Sequence, residues 1–285
     1  MKLVLGSASW RSSYGLISKS PLSKKQVTTL VMRGALLGFD FIDTAPTYGD
    51  TETILGKIKP SQKIATKVTV DPSNLSSINN SINLSRRKLG VESLDLIFVH
   101  NWDSLSQSEK YNSAEFLQNC ILKQSIKRWG FSTYDVLELK KIKTYGWTNL
   151  NIQINSNVLD QRLLKVDNEI GQSFFKKQNI EIWARSVFLQ GVLLDQTLKN
   201  PFVGHPALIN FFSICEEYGL SPLELCLAYI RAIGAVDRIL VGIENVIQLN
   251  EIVTASQISP PKLDFKLLQS KDIKLIDPRT WEMSR

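Results

Sequence analysis

Four residues whose side chains commonly transfer or hold protons lie in the first hundred residues. Asp43 and Tyr48 follow one short apolar run, Lys67 ends a second run, and His100 ends a third. A tyrosine phenol is a weak acid, with a pKa of about 10 in water. A lysine ammonium beside it would stabilise the phenolate, and Asp43 would hold that lysine charged and in place. Tyr48 could then protonate a carbonyl oxygen to which His100 also donates a hydrogen bond.

Taken singly, each of these residues has an ordinary structural explanation. An aspartate at a strand end often caps a turn, and a lysine or tyrosine near the surface is usually only solvated. His100 is harder to explain in this way, because the chain has only two histidines and an apolar run precedes this one. Their occurrence at three consecutive strand ends favours a shared chemical function.

The elements that would position these residues alternate along the chain. Short runs rich in Val, Ile and Phe are typical of buried parallel strands, and the segments between them have a helical period. We predict strands at 3–9, 39–43, 63–68, 94–100, 126–131, 150–155, 180–186 and 238–241. We predict helices at 23–37, 75–89, 136–145, 161–177, 207–218, 222–233 and 246–255.

This alternation predicts an α/β protein with a (β/α)8 TIM barrel as its single domain, over residues 1–285. A loop and helix insertion is expected at about 189–220, and a C-terminal tail at about 256–285. The active site of such a barrel lies at the C-terminal ends of the strands, so the four residues would meet at one rim. An open doubly wound sheet is the main alternative, but residues 6–9 (GSAS) match its glycine-rich turn poorly.

The formal net charge of +7 suits an anionic ligand, either a nucleotide cofactor or RNA. RNA binding usually needs a basic cluster with interleaved aromatic residues, which the sequence lacks. The first residues do not fit a signal peptide, and no apolar run is long enough to span a membrane. The three cysteines lack metal-ligand spacing and are typical of reduced thiols. We therefore expect a cytoplasmic protein without nucleic-acid or membrane partners.

Residues 41–49 (FIDTAPTYG), followed by Glu52 and Leu55-Gly56, resemble the signature of the aldo-keto reductases. The similarity continues through nearly the whole chain, at 64–68, 94–100, 129–132, 153–157, 190–191, 241–242 and 248–249. The resemblance implies a barrel enzyme that transfers a hydride between a nicotinamide cofactor, NADP or NAD, and a carbonyl compound or alcohol. It also implies Tyr48 as the general acid, with Asp43, Lys67 and His100 completing a catalytic tetrad.

The resemblance further implies a set of cofactor-binding positions: Ser9, Trp10, Ser132, Gln153, Arg185, Gly242, Glu244, Gln248 and Glu251. The first two would line the nicotinamide pocket, and Ser132 and Gln153 would hydrogen-bond the carboxamide. Gly242 would let the backbone approach the phosphates. The last two positions fall where family members contact the adenine.

Two of these positions depart from the family pattern. Arg185 stands where many members stack a tyrosine on the nicotinamide. A guanidinium can stack on a ring, although its charge would disfavour the oxidised nicotinamide, and Arg185 could equally pair with a carboxylate or a substrate anion. Glu244 stands where NADP-preferring members often carry an arginine for the 2′-phosphate. It favours NAD, unless it is only a solvated residue in the first turn of a helix.

The runs 157–162 (NVLDQR) and 186–191 (SVFLQG) most resemble a bacterial subgroup, some of whose members lie among genes for surface sugars. A sugar-derived aldehyde or ketone is therefore a candidate substrate. Trp102 and Phe188 would contact it, with Tyr14, Phe202 and His205 also at the rim, or these aromatic residues would only pack the loops. The expected partners are small molecules, and the expected state is a monomer or weak homo-oligomer.

Three other functions remain as alternatives. A catalytically silent sensor would keep the cofactor pocket. The departures from the family pattern at Arg185 and Glu244 are compatible with this alternative. A Schiff-base aldolase would use Lys67 as its nucleophile but gives no role to Tyr48 or His100. A metal-dependent hydrolase is disfavoured because the chain has only two histidines.

Overall fold

Eight parallel strands form a closed barrel in the computed structural model, which describes residues 1–11 and 21–281. The strands pair in chain order and the last pairs with the first, which confirms the predicted single-domain (β/α)8 TIM barrel. Tyr14 lies outside the described residues. The strands are β1 (Lys2–Gly6), β2 (Phe41–Asp43), β3 (Lys63–Val68), β4 (Leu96–Val99), β5 (Trp129–Thr133), β6 (Leu150–Asn155), β7 (Glu181–Arg185) and β8 (Val236–Gly242).

Helices surround the barrel and connect its strands. Those of the described residues are α1 (Lys24–Leu36), α2 (Thr51–Ile58), α3 (Ser77–Leu89), α4 (Gln107–Leu122), α5 (Leu137–Tyr145), α6 (Arg162–Ile170), α7 (Gln172–Lys177), α8 (Pro206–Glu217), α9 (Pro222–Ala232), α10 (Val246–Ala255) and α11 (Ile273–Ile276). None of the helices in this part of the chain is both long and apolar enough to cross a membrane.

The predicted elements are present, and β3, β6 and α10 have the predicted bounds. The helix predicted at 161–177 is wrong as a single element, because Gly171, with φ of 82°, separates α6 from α7. Three helices, α2, α4 and the short α11 in the tail, were not predicted. The start of α4 does carry a sequence signal, since Ser106 and Glu109 form a capping box there.

Large side chains fill the inside of the barrel, so it is a packed core rather than a channel. Trp183 packs edge-on against Phe41 and Phe98, with ring centroids 5.1 and 5.3 Å apart. Gly130 in β5 makes room for this packing. A Cβ at Gly130 would lie 1.9 Å from the carbonyl oxygen of Asn151 in β6, so no other residue fits here without moving the strands.

The C-terminal tail lies across the loops at the C-terminal ends of the strands. The amide of Ser270 donates to the carbonyl of Leu159, in the loop after β6, at 2.9 Å. Farther along the tail, Trp281 packs on Phe202 at 5.2 Å between ring centroids. These contacts hold the segment between them, which carries Arg279, at the edge of a pocket at this end of the barrel.

Candidate active site

A pocket of about 1260 Å³ opens at the C-terminal ends of the barrel strands. Every strand, or the loop that follows it, contributes to its wall: Gly6 and Ser9, Asp43 and Tyr48, Lys67, His100, Ser132, Gln153, Arg185, and Gly242. The structure therefore brings all four residues of the predicted proton-transfer set to one pocket. Among the described residues, no group of His, Cys, Asp and Glu side chains is arranged to hold a metal ion.

A buried hydrogen-bonded network forms the floor of the pocket. The ammonium of Lys67 donates to Asp43 Oδ2 at 2.6 Å and to the carbonyl oxygen of Thr44 at 3.0 Å. Gln153 Nε2 donates to the other carboxylate oxygen of Asp43 at 2.5 Å. Burial acts to lower the pKa of Lys67, but the charge of Asp43 and the contacts with Asp43 and Tyr48 outweigh it, so the pKa is raised. Lys67 therefore stays a cation at neutral pH.

Tyr48 lies above this network on the loop between β2 and α2. Lys67 Nζ is 5.0 Å from the centre of the Tyr48 ring, and the tyrosine is only partly buried. The loop bends back at Gly49, which has φ of 63° and would place a Cβ 2.7 Å from the carbonyl oxygen of Arg11. Glycine is thus required directly after Tyr48, and it lets the loop present the phenol to the pocket.

His100 follows β4 and is fixed by its amide, which donates to the carbonyl of Val68 at 2.8 Å. Its side chain is exposed to the pocket. Partial desolvation by the surrounding protein and, next, the charge of Lys67 lower the pKa of His100 to about 4; the charge of Asp43 opposes this shift and that of Arg185 adds to it. The imidazole is therefore neutral at physiological pH and can donate a hydrogen bond without carrying charge.

The chain has only two histidines, so this neutral state can be measured directly. We expect NMR titration of the imidazole carbons to show His100 protonating with a midpoint near pH 4. The unfolded chain binds that proton near pH 6.5, so the contribution of His100 to the free energy of unfolding is complete above pH 6.5 and declines from there to about pH 4. His205→Gln assigns the two signals. A midpoint near 6.5 for His100 would contradict this electrostatic description.

The side of the pocket formed by β5 and β6 has the features that a carboxamide requires. Ser132 and Gln153 are paired across these strands and both line the pocket. Gln153 Nε2 is engaged by Asp43, and its Oε1 is buried without a hydrogen-bond partner in the described structure. A buried acceptor of this kind is costly unless a ligand donor reaches it. The amide group of a nicotinamide fits this position.

The other expected cofactor positions lie on the β8 side and along the start of α10. Gly242 is exposed, with open space where a Cβ would project, so backbone can be approached closely there. The amide of Glu244 donates to Gln248 Oε1 at 2.9 Å, which fixes the Gln248 side chain. Glu244, Gln248 and Glu251 all line the same pocket, as does Ser9 after β1.

Arg185 reaches from the end of β7 across β6 to the end of β5. One terminal nitrogen donates to the carbonyl of Thr133 at 3.3 Å, and the guanidinium lies over the Tyr134 ring at 4.0 Å from its centre. Arg185 and Gln153 line the same pocket, and Arg185 is paired with Asn155, two residues beyond Gln153 on β6.

Two tryptophans expected at the pocket are instead buried in the core. Trp102 is fully buried, stacks on Phe131 at 4.4 Å and donates to Glu138, so its expected contact with substrate is wrong. Trp10 is also fully buried, and its indole donates to the carbonyl of Ile243 at 2.7 Å. It joins the loops after β1 and β8 and does not line the pocket. Phe188 does line the pocket.

The sequence reasoning missed several pocket residues, including Asp103, Tyr134 and Arg279. Asp103 and Tyr134 each follow a predicted strand end, at His100 and Phe131, by three residues, so the strand-end rule could have found them. Arg279 had no such signal, because it reaches the pocket from the C-terminal tail.

Solved structures with the same fold include two bacterial enzymes. The aldo-keto reductase AKR11C1 from Bacillus halodurans (holo form) is 19% identical, with a TM-score of 0.70 over 94% of this chain and 89% of that one. The glycerol dehydrogenase AKR11B4 from Gluconobacter oxydans is also 19% identical, with a TM-score of 0.67 over 93% and 88% of the two chains. At this identity the likeness establishes the fold alone. A comparison with curated protein sequences gives no significant match.

The family relationship rests on the sequence pattern along nearly the whole chain. The profile of the Aldo/keto reductase family matches residues 2–273, from β1 to the start of α11. This range contains all the strands of the barrel and every pocket residue except Arg279. The chain belongs to the aldo/keto reductase family.

Proposed function

We propose that the chain reduces an aldehyde or ketone, sugar-derived ones included, to an alcohol with NADPH or NADH, and that Tyr48 is the general acid. Family membership supports an oxidoreductase that acts on carbonyl compounds. The observation that carries the finer proposal is the meeting of Tyr48, His100 and the buried Lys67–Asp43 pair in one pocket. The catalytic role of each residue follows from its surroundings.

The bound nicotinamide would supply the hydride for the carbonyl carbon. The Tyr48 hydroxyl would donate its proton to the carbonyl oxygen as negative charge develops there. Lys67, held charged by Asp43, stabilises the resulting phenolate. Neutral His100 would donate a second hydrogen bond to the same oxygen and so orient the carbonyl. The reverse reaction uses the same groups in the opposite order.

The cofactor would be held by the two ends of the pocket. Ser132 and Gln153 would bind the carboxamide, with Ser9 and Arg185 beside the ring. Gly242 would face the phosphates, and the residues at the start of α10, Glu244, Gln248 and Glu251, would face the adenosine. The unpartnered Oε1 of Gln153 and the open space at Gly242 support these positions.

Glu244 leads us to expect a preference for NADH over NADPH. Glu244→Arg should raise the affinity for NADPH relative to NADH by about tenfold or more, because a guanidinium makes charge-assisted hydrogen bonds to a 2′-phosphate. Dissociation constants of both cofactors can be measured by quenching of tryptophan fluorescence. Glu244→Gln removes the negative charge without adding a cation, and should change the ratio less. An unchanged ratio in the arginine variant would place Glu244 away from the ribose.

The experiment that tests the proposed function is a cofactor titration followed by turnover of a panel of aldehydes and ketones. We expect saturable binding of NADH or NADPH and cofactor oxidation that depends on the carbonyl substrate. Binding without turnover of any carbonyl compound would favour the catalytically silent sensor. Borohydride trapping of a substrate on Lys67 would favour an aldolase.

We also propose the setting in which the enzyme acts. The three cysteines, Cys120, Cys215 and Cys226, are buried free thiols, which suits a reducing compartment such as the cytoplasm. The insertion at about 189–220 and the tail at about 256–285 both contribute to the pocket, through residues such as Lys199 and Arg279. We expect small-molecule partners and a monomer or weak homo-oligomer.

A further inference from the structure

A carboxylate and a guanidinium lie side by side on the pocket wall beyond His100. Asp103 comes from the loop after β4, and Arg279 comes from the C-terminal tail. Arg279 Nη1 is 3.4 Å from Asp103 Oδ2. Neither residue belongs to the proton-transfer set or to the expected cofactor positions. Both side chains remain partly open, with exposed fractions of 49% for Arg279 and 25% for Asp103.

Other residues fix the position of each partner. Asp103 accepts hydrogen bonds from the hydroxyl of Thr133 and, at 2.8 Å, from the amide of Tyr134. Two nitrogens of Arg279 donate hydrogen bonds to the buried carboxylate of Asp277, Nε at 3.0 Å and Nη2 at 2.7 Å. The Arg279 guanidinium also lies over the Tyr134 ring, 4.2 Å from its centre. The pair is thus held in place before any ligand arrives, which is the arrangement that specific recognition requires.

The pair still has hydrogen-bonding capacity for a ligand. The bonds to Asp277 and Asp103 use one N–H on each nitrogen of Arg279, which leaves a second N–H on each terminal nitrogen. Asp103 Oδ2 accepts from both Tyr134 and Arg279, but Oδ1 accepts only from Thr133 and keeps an acceptor lone pair. A hydroxyl group can donate to a carboxylate and accept from a guanidinium at once, so neighbouring hydroxyls match this wall.

Other ligand groups match the wall less well. The carboxylate of Asp103 would repel an anionic group of a ligand. The positive charge of Arg279 would attract it only weakly, because Asp277 already offsets that charge. An apolar chain would cover both charged groups without bonding to either, which is unfavourable. We propose that Asp103 and Arg279 recognise hydroxyl groups of the substrate, and that the substrates are uncharged, hydroxylated carbonyl compounds. This inference rests on the proposed function and defines its substrate class.

The test compares two aldehydes with the same carbon chain, glyceraldehyde and propanal. The wild type should prefer glyceraldehyde. Asp103→Asn and Arg279→Ala should each lower kcat/KM for glyceraldehyde by about ten- to a hundredfold, mainly through KM, and leave propanal within about threefold. Arg279→Lys should recover only part of the loss, because it lacks the planar fork. Lys274→Ala, on the same tail but outside the pocket, is the matched control and should change neither substrate.

Several outcomes would overturn the proposal. If the variants lose kcat/KM equally for both aldehydes, the pair has a structural role. If kcat/KM is unchanged for both, the pair contacts no substrate. A larger loss on a carboxylated aldehyde such as succinic semialdehyde would show that the wall binds anions. The melting temperature of each variant shows whether it is folded. If Arg279→Ala detaches the tail, Asp103→Asn still tests the pair. If the wild type has the same kcat/KM for propanal as for glyceraldehyde, this inference fails while the proposed function stands. Turnover of no carbonyl compound would overturn the proposed function with it.

Discussion

Replacing Tyr48 by phenylalanine is expected to lower kcat/KM for carbonyl reduction by about 10³-fold, while the dissociation constant of the cofactor stays within about threefold of wild type. The change removes one hydroxyl and leaves the ring in place. Neither His100 nor Lys67, the other two groups beside the carbonyl oxygen or the phenol, can take the place of Tyr48 as the acid. His100 is neutral and binds its remaining proton tightly, and Lys67 is held as a cation in the buried pair with Asp43. The loss should therefore appear in kcat, since the interaction is made in the transition state.

The measurement is single-turnover oxidation of bound NADH or NADPH, with cofactor binding followed separately by tryptophan fluorescence. Tyr111→Phe is the matched control, because Tyr111 lies on α4 with much of its surface exposed and does not line the pocket. It should turn over substrate like the wild type. Turnover retained in Tyr48→Phe would refute the mechanism, whereas loss of both binding and turnover with a lowered melting temperature would indicate damage to the fold.

The parts of the site that the sequence predicted are those that follow from the barrel itself. Apolar runs identify the strands, and parallel strands in a closed barrel bring their C-terminal ends together. Asp43, Lys67 and His100 each stand at or next to such an end, so placing the strands was enough to place the residues. Ser132 and Gln153, which the family resemblance implied, also lie on these strands and are paired between β5 and β6.

The parts that were missed depend on contacts between distant segments. Trp102 follows His100 closely, yet its ring turns into the core because Glu138 on α5 accepts its indole N–H and Phe131 offers a stacking surface. Arg279 enters the pocket only because tail residues such as Trp281 pack on other loops. Neither a strand pattern nor a helical period contains such information, so hydrophobicity and strand position alone assign these residues wrongly or not at all.

Replacing Lys67 by methionine should have the second large effect, on activity and on stability together. The change leaves the Asp43 carboxylate buried with Gln153 as its remaining side-chain partner, and an uncompensated buried charge of this kind costs about 3 kcal/mol or more. Activity should fall by at least about 10²-fold, because the phenolate of Tyr48 loses its neighbouring cation. Chemical denaturation and steady-state kinetics measure the two effects.

A double variant separates the two effects of Lys67. Asp43→Asn combined with Lys67→Met removes both buried charges, so the free energy of unfolding should return towards the wild-type value while turnover stays lost. Lys110→Met is the matched control. Lys110 is also buried and forms an ion pair, with Glu138 at 3.1 Å, but it lies outside the pocket. When Lys110 is replaced, Lys141 still neutralises Glu138. That variant should lose some stability and keep its turnover. If the double variant recovers activity along with stability, Lys67 acts only through the fold, and the assignment of Tyr48 as an acid assisted by a lysine fails.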